Sequence, residues 1–289
     1  MNTSDRLILS KARAVLLGAA AVFAAVMFLS ACGRESVSAA VGQDGAAGAE
    51  DRQAAAALYA DALNAQSVRD VKRLQHAFAH YAEAGDWRAM ASLFSADGKY
   101  VSGDAEVAGA DALYALFRDD MGGGQDELAP DRLNVRLFLS PVVTLSADGE
   151  SAKGRWHEVA MLGKFGEEAF WKGGIYENDY VLEDGVWKIA TLHYYPQYAG
   201  PYEGGWRNVA DVVPLTPYHY TPDEAGAPAP KAPEAAEAGD RTAADLVSGA
   251  DAIAAALIDE GEVQNLQAAY GYYVDRKMWS DVADLFAEG

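Results

Sequence analysis

The fold of this chain is decided by residues 173–198, GGIYENDYVLEDGVWKIATLHYYPQY. Two runs rich in aromatic and β-branched residues flank Asp184-Gly185, a pair that is typical of a tight hairpin turn. Side chains alternate between the two faces of a strand, so Tyr176, Asn178 and Tyr180 should lie on one face. The stretch therefore predicts two long antiparallel strands, the first of which carries a row of polar and aromatic groups.

Further β segments precede this hairpin. The long strands are predicted at Leu133–Leu145, Ala152–Leu162, Ala169–Leu182 and Val186–Tyr195. Pro141 has no backbone N–H to donate, so it marks an edge strand or a bulge in the first of them. The tail that follows the last strand is predicted to wrap around the domain.

Helical patterns precede the strands. Phe78 and Tyr81 lie on the apolar face of a helix that ends at Gly85, and Asp86 can cap a second helix. A third helix is predicted over about Ala110–Asp120. Helices followed by a meander of strands indicate an α+β domain with an antiparallel sheet that curls around the helices, and we assign this domain to residues 50–220.

Composition limits the partners of the chain. Its 289 residues are 51% hydrophobic, which is enough for a real core, and 23 Lys and Arg face 43 Asp and Glu for a net charge of -20. A charge of this sign repels phosphate backbones, so nucleic acid is not an expected partner.

The N-terminus has the pattern of a signal peptide. A basic start is followed by an apolar run over residues 14–29 and then by Leu29-Ser30-Ala31-Cys32, which resembles the lipobox of bacterial lipoproteins. Cys32 is the only cysteine, so it cannot form an internal disulfide. We predict a signal peptide at residues 1–32, lipidation of Cys32, export, and attachment to the bacterial membrane from the periplasm or outer surface. An uncleaved anchor and plain secretion are the alternatives.

Two segments of low complexity separate the predicted units. Residues 33–49 are mostly small and polar and predict a flexible tether, and residues 221–241 are rich in Pro and Ala and predict a linker. Residues 242–289 then repeat the beginning of the domain, with nine identities over 24 positions at an offset of 192. The identical positions are Val71, Leu74, Gln75, Ala77, Tyr81, Trp87, Ala91, Leu93 and Phe94 in the first copy.

This last segment is predicted to be the N-terminal helical part of a second copy. A helical pair without its sheet leaves an apolar stripe uncovered. The expectation is therefore that the second copy is truncated in this sequence, and the alternative is that its helices dock on something else.

An ordered set of residues resembles a known family. Phe78 lies nine residues before Trp87, the pair Leu93-Phe94 follows, and the sequences Gly173-Gly174-Ile175-Tyr176 and Asp184-Gly185-Val186-Trp187 come later. Together they resemble the SnoaL-like branch of the nuclear transport factor 2-like superfamily, over about residues 69–195. The resemblance implies a cone-shaped barrel of curved sheet, closed on one side by the N-terminal helices, with a pocket between them.

The same resemblance implies candidate chemistry. Members of the branch include scytalone dehydratase, polyketide cyclases, a dehydrochlorinase and steroid isomerases. In the dehydratase-like and dehydrochlorinase-like members, an Asp four residues before the Trp of the second helix assists a strand histidine that acts as general base. Glu83 stands four residues before Trp87, but Arg136 occupies the position expected for the histidine. Arg136 could instead bind an anionic substrate or pair with Glu83.

The remaining candidates are strand residues. Alternation places His193 on the face of Trp187, Ile189 and Thr191, and His157 on that of Val159 and Met161. Either histidine could serve as the base with Glu83, or be a hydrogen-bonded core residue. Ligand-binding candidates, in addition to Arg136, are Tyr176, Asn178 and Trp87, for which packing is the alternative.

Cofactors and metals are not expected. His76, His80 and Glu83 share a helix face at spacings that suit a divalent metal, but the repeat has Ala268, Tyr272 and Asp275 there. The face is equally typical of solvated helix surface. We therefore predict binding of a small, largely apolar or aromatic molecule, with cofactor-independent lyase or isomerase chemistry as the enzymatic version. The alternative is a non-catalytic interaction module that forms a homodimer through its sheet.

Overall fold

The computed structural model describes residues 45–209, 213, 215–221 and 239–286, without the side chains at 45–47, 206 and 208. The predicted signal peptide, Cys32, and most of the tether and linker lie outside these residues. The chain divides into the units Met1–Gly48 and Ala49–Gly289, and apart from the first four residues of α1 the second contains all the features below. No described helix combines the length and the hydropathy that crossing a bilayer requires.

The elements follow the predicted order of helices, then strands, then helices. They are α1 (Gly45–Ala84), α2 (Trp87–Ser92), β1 (Phe94–Ser102), β2 (Ala105–Ala108), α3 (Ala110–Asp120), β3 (Arg132–Leu145), β4 (Ser151–Lys164), β5 (Glu168–Glu183), β6 (Val186–Pro201), a 3-10 helix (Tyr202–Asn208), α4 (Ala243–Asp275) and α5 (Trp279–Asp284). The four long strands are confirmed. The tail was predicted to follow a strand that ends at Tyr195. The strand β6 in fact continues to Pro201, so the tail begins later.

The six strands form one sheet in the order β2-β1-β6-β5-β4-β3. Neighbouring strands are antiparallel except β1 and β6, which pair in parallel. The edge strands β2 and β3 do not pair with each other, so the sheet is curved but open. This corrects the expected antiparallel cone-shaped barrel, since a barrel requires its first and last strands to meet.

The register shifts at several points of the sheet, and two of these bulges bear on the predictions. In β3 the register shifts between Leu139 and Val142, and Ser140 before Pro141 has φ of 52°, which confirms the bulge predicted from the proline on an edge strand. In β6, Tyr180 pairs with Ile189 but Asp179 pairs with Thr191, so Ala190 is an extra residue.

The bulge at Ala190 changes the face of the residues that follow it in β6, as far as the next register shift at Gln197. Trp187 and Ile189 are buried before it, whereas Leu192 and Tyr194 are buried after it. His193 is therefore on the opposite face from Trp187 and Ile189, contrary to the prediction. The reason is that an inserted residue breaks the two-residue alternation from which the prediction was made.

The core lies between α1, α2 and α3 and the concave face of the sheet. Phe78 is fully buried, and its ring packs edge-on against that of Phe117 at 5.6 Å. Gln75 extends from α1 to the sheet, where its Oε1 accepts hydrogen bonds from Asn178 Nδ2 at 3.0 Å and from the Tyr180 hydroxyl at 2.8 Å. Because buried polar groups are costly when unpaired, these bonds fix the register of α1 on β5.

Helices α4 and α5 reproduce the local geometry of α1 and α2. When 192 is added to each residue number, the bounds of α2 become those of α5. Gly85, with φ of 73°, then corresponds to Lys277, which also has a positive φ, of 58°. The hydrogen bond from Asp86 N to Tyr81 O, 2.9 Å long, has its counterpart from Met278 N to Tyr273 O, also 2.9 Å. The start of α4 packs on α1 through Leu246, which is fully buried against Ala55 and Ala56.

Candidate functional site

A row of charged side chains lies on the concave face of the sheet. Arg136 of β3, Ala160 of β4 and Lys172 of β5 pair directly across the three strands, so their side chains share a face. Glu158 is two residues from Ala160 and faces the same way. The sheet thus brings one arginine, one lysine and one glutamate together beneath α3.

Arg136 and Glu158 form a buried ion pair. The distance from Arg136 Nη1 to Glu158 Oε1 is 2.6 Å, and the two side chains are 2% and 0% exposed. Arg136 Nε also donates to Asn134 Oδ1 at 3.1 Å, and Asn134 Nδ2 donates to the Ala82 carbonyl of α1. Burial opposes the charge on Arg136, but the charge and hydrogen bond of Glu158 together with Tyr176 and Tyr100 outweigh it, so the pKa of Arg136 is raised.

Three tyrosines surround the carboxylate of Glu158. The Tyr176 hydroxyl donates to Glu158 Oε1 at 3.4 Å, and the Tyr176 ring packs at a tilt of 33° against that of Tyr194, with centroids 4.6 Å apart. Burial, and then the negative charge of Glu158, raise the pKa of Tyr100 to about 12 and also raise the pKa values of Tyr176 and Tyr194. These phenols stay protonated at neutral pH, but only Tyr176 donates to Glu158, and the Tyr194 hydroxyl is buried without a partner in the described parts of the chain. Glu158 Oε2 is buried without a partner among the described residues.

Lys172 lies at the edge of this cluster. Burial, and then the charge of Arg136, lower its pKa. Within the described residues it has no hydrogen bond or ion pair, and it lines a cavity together with Asp120. The charges of Glu158 and Asp120 oppose the lowering of its pKa. Lys172 therefore places a positive charge without an ion-pair partner, among the described residues, at the surface of this cavity.

The cavity above Arg136 and Lys172 has a volume of about 170 Å³. Its polar floor is Asn134, Arg136 and Lys172, and its rim holds the ion pair of Arg132 with Glu168 at 3.6 Å. The lining also includes Asp120 and the apolar side chains of Met121, Leu128, Leu133, Leu162 and Phe170. Polar groups make up the larger part of the exposed lining, and convergent polar groups beside apolar side chains are typical of small-molecule binding.

The sequence match that decides the family covers residues in the first domain and in the C-terminal helical pair. A model of the SnoaL-like domain matches residues 63–193 and residues 255–289. The chain belongs to the SnoaL-like domain family. Comparison with curated proteins gives no significant match.

Several solved structures are similar to this SnoaL-like chain. One is a provisionally assigned scytalone dehydratase from Novosphingobium aromaticivorans DSM 12444, with 17% identity and a TM-score of 0.43 over 48% of this chain and 90% of that one. Another is the hexachlorocyclohexane dehydrochlorinase LinA-type3 from Novosphingobium barchaimii LL02, with 14% identity and a TM-score of 0.41 over 54% of this chain and 99% of that one. At these values they carry no information on the activity of this chain.

The three predicted catalytic residues do not come together in this SnoaL-like domain. Glu83 is exposed at the end of α1, where its Oε2 lies 3.8 Å from His80 Nδ1. His157 is exposed on the outer face of β4. His193 is half-buried on the outer face of β6, where it stacks on Tyr195 with centroids 4.2 Å apart. Glu83 therefore forms no dyad with His157 or His193 and does not contact Arg136, and the histidine beside it is His80 on the exposed face of the same helix.

The predicted ligand-binding residues have different surroundings. Arg136 lines the cavity, and Tyr176 lies beneath it as a donor to Glu158. Asn178 is engaged with Gln75 and Tyr180, and its Oδ1 accepts from the His193 backbone N–H at 3.1 Å. Trp87 is fully buried in the core and donates to the Gln125 carbonyl.

Sequence analysis missed Glu158 and Lys172. The available signal was the alternation in β4, where Glu158 falls between Trp156 and Ala160 on the buried face. A charge at such a position implies a buried partner on a neighbouring strand. The partner could not be identified from the sequence, because the register between strands was not known.

A second polar cluster lies on the outer face of β4 and β5. Arg155 pairs with Glu177, and Glu177 Oε2 also contacts His219 Nδ1 at 2.8 Å. Arg155 Nη1 donates to the Pro217 carbonyl at 2.9 Å, and its guanidinium lies 4.3 Å from the centroid of Tyr218. These contacts hold residues 215–221 against the sheet beside a cavity of about 380 Å³.

A larger cavity lies outside the concave face. It has a volume of about 1190 Å³ and runs between α1 and α4, where Arg69, Lys72 and His76 meet Glu260 and Gln264. Glu260 already pairs with Arg69 and with Arg73, each at 3.4 Å. No group of three or more metal-ligating side chains occurs within the described parts of the chain.

Proposed function

We propose that the concave cavity binds a small, largely apolar molecule that carries an anionic or carbonyl oxygen. The observation that carries this proposal is Lys172, a half-buried cation without an ion-pair partner, placed beside Arg136 in a chain of net charge -20. The apolar side chains of the lining would hold the body of the molecule, and Lys172 and Asn134 would bind its oxygen. Charge-assisted hydrogen bonds of this kind are the strong ones in proteins.

The size of the cavity limits the ligand. Its 170 Å³ is below the range of about 300–1,000 Å³ that is usual for drug-sized ligands. A compact ring or a short chain with one acidic group fits this volume, whereas a polycyclic molecule does not.

Benzoate and benzamide provide a matched test, since they differ in charge and share a ring. Because a charge-assisted hydrogen bond contributes about 1.5–3 kcal/mol, benzoate should bind at least about tenfold more tightly. Lys172→Met should abolish this preference, and Lys99→Met, on the far strand β1, should leave it unchanged. Equal binding of the two ligands, or a preference that survives in Lys172→Met, would overturn the proposal.

Turnover in this cavity would be acid-base chemistry without a cofactor, of the lyase or isomerase type. Lys172 would be the base, because a lowered pKa makes its neutral form more accessible, and the protonated Tyr176 would serve as a hydrogen-bond donor. The roles predicted for Glu83, His157 and His193 stay predictions. Once a substrate is known, Glu83→Gln and Lys172→Met separate the two assignments, because each should abolish turnover under only one of them.

An interaction module is the second candidate function. It is favoured by an apolar patch on the outer face of β3 and β4, where Leu137, Leu139 and Met161 are each at least 40% exposed near His157. A homodimer through this patch would bury these side chains. Leu137→Asp should then give a monomer in sedimentation velocity, and an unchanged association state would exclude the patch as the interface.

We also propose that the protein is exported and lipid-anchored through Cys32, on the basis of the N-terminal pattern alone. Several acyl chains would hold it stably on a membrane, whereas one chain binds only marginally. Cys32→Ala should move the protein from the detergent phase to the aqueous phase in a Triton partition experiment. Partition that does not change would show that lipid on Cys32 is not the anchor.

We further infer that residues 242–289 belong to a second SnoaL-like unit. The family match at residues 255–289 and the shared geometry of the two helical pairs support this inference. On this basis the chain consists of a signal peptide, a tether, a SnoaL-like domain at residues 50–220, a linker, and the helical part of a second unit.

A further inference from the structure

Residues 215–221, which we call the strap, cover a group of ionisable side chains on the outer face of the sheet. The side chains of Arg155, Glu177 and His219 are only 6%, 10% and 5% exposed. By contrast, Lys153 and Asp179, which pair on the same face, are 58% and 46% exposed. Charged groups are rarely buried to this extent without a specific arrangement of partners, so this part of the outer face differs from an ordinary solvated sheet surface.

The partners of Glu177 determine which nitrogen of His219 carries the proton. Arg155 Nη1 donates to Glu177 Oε1, and Glu177 Oε2 lies 2.8 Å from His219 Nδ1. An ionised carboxylate can only accept hydrogen bonds, so Nδ1 is the nitrogen that donates. In the neutral ring, Nε2 then carries a lone pair and needs a donor.

His219 Nε2 has no such donor. The atom is buried, and no hydrogen-bond partner for it occurs within residues 45–209, 213, 215–221 and 239–286. A buried acceptor without a donor is costly, and such an atom calls for an explanation in a folded protein. The position of His219 beside a cavity supplies one.

The cavity beside His219 is large enough for a small organic molecule. Its volume is about 380 Å³, which lies within the range of about 300–1,000 Å³ that is usual for ligand sites, whereas the concave cavity has about 170 Å³. His193 and Tyr195 form one wall, with stacked rings 4.2 Å apart and inclined by only 20°. Tyr218 of the strap, which is 67% exposed, also lines the cavity. A planar aromatic ring fits a wall of this kind.

Several polar groups of this lining are already engaged. Lys153 Nζ and Asp179 Oδ1 pair at 2.5 Å, and the Tyr195 hydroxyl lies 3.2 Å from His193 Nδ1. Asn178 is held by the core contacts described above. A molecule with many hydroxyl groups would therefore find few partners here, whereas a molecule with a single donor would satisfy the unpartnered imidazole nitrogen.

We propose that this outer cavity is a second ligand site, which binds a planar aromatic molecule with one N–H or O–H donor. The donor would bond to His219 Nε2, and the ring would pack on His193 and Tyr195. Because Nε2 is buried under the strap, entry of the molecule would need a shift of the strap at Tyr218. The site shares no lining residue with the concave cavity, so it does not depend on the function proposed for that cavity.

Indole and 1-methylindole are a matched pair of probes, because they share the ring system and differ in the N–H donor. In an amide-resolved NMR titration of the full chain, indole should produce saturable shift changes at Asp179, Tyr195 and Tyr218. A hydrogen bond to an otherwise unpartnered acceptor should make indole bind about fivefold more tightly, or better, than 1-methylindole. His219→Phe should remove this preference, and His80→Phe, on the exposed face of α1, should leave it unchanged. Equal binding of the two probes, a preference that survives in His219→Phe, or saturable changes confined to another cavity would overturn the proposal.

Long-range proton-nitrogen NMR of the histidine rings in the unmodified chain tests the same nitrogen directly. At about pH 8, where an ordinary imidazole is neutral, His219 should carry its proton on Nδ1. Its Nε2 resonance should move with indole and stay in place with 1-methylindole. A proton on Nε2, or an Nε2 resonance that the two probes affect equally, would exclude the site, whether or not His219→Phe folds.

Discussion

Removal of Arg136 should be one of the most destabilising single changes in this protein. The substitution Arg136→Met keeps most of the side-chain volume but leaves the Glu158 carboxylate, which is 0% exposed, without its partner at 2.6 Å. Loss of one member of a buried ion pair costs about 3–5 kcal/mol, because the remaining charge is buried and uncompensated. Asn134 Oδ1 also loses the hydrogen bond from Arg136 Nε.

A double-mutant cycle isolates this effect. Glu158→Gln retains an acceptor for Tyr176 but removes the charge, so the double variant Arg136→Met/Glu158→Gln should recover about 2 kcal/mol relative to Arg136→Met. Urea denaturation at neutral pH gives the free energies of unfolding, with Arg132→Met, at the exposed rim, as the matched control. A cost below about 1 kcal/mol for Arg136→Met, or a double variant less stable than the single one, would refute the reasoning.

Three further predictions concern the surroundings of this pair. Because burial lowers the pKa of Lys172, the unfolded chain binds more protons between the lowered and the ordinary value, and stability rises with pH in that interval. Lys172→Met should remove this rise and increase the urea midpoint at neutral pH. The pKa of Tyr100 is raised from 10.0 to about 12, so its contribution to stability is complete below pH 10.0 and is lost as pH rises through about 12. Tyr100→Phe should remove part of that alkaline loss in thermal melts at stepped pH. Gln75→Leu should cost about 1–3 kcal/mol in urea denaturation, because it leaves the donors of Asn178 and Tyr180 with fewer acceptors. The exposed change Gln264→Leu, its control, should cost almost nothing.

The strands were predictable because their signals are local. Asp184 and Gly185 have φ of 51° and 78°, as a tight hairpin turn requires, and the sequence pair identifies that turn directly. Tyr176, Asn178 and Tyr180 share a buried face for the same reason. The extra residue Ala190 left no such mark, so His193 was assigned to the wrong face. The openness of the sheet depends on how β2 and β3 lie in space, which no local pattern contains.

The site was predictable only in part. Arg136 was a candidate because it occupies the position at which related proteins have a catalytic histidine. Its partner was expected to be an anionic substrate or Glu83 at a helix end. The structure places Glu158 there instead, through the register of β3 with β4. Glu158 and Lys172 are charged residues in β segments, where an exposed position is the usual expectation. Only the pairing of three strands brings them onto one face.

The most direct test of the account is an amide-resolved NMR titration of the full chain with benzoate. The account predicts saturable shift changes at the residues that line the concave cavity, among them Leu128, Leu162 and Phe170, and their loss in Lys172→Met. Saturable changes confined to the groove between α1 and α4, or changes at the concave cavity that persist in Lys172→Met, would contradict it.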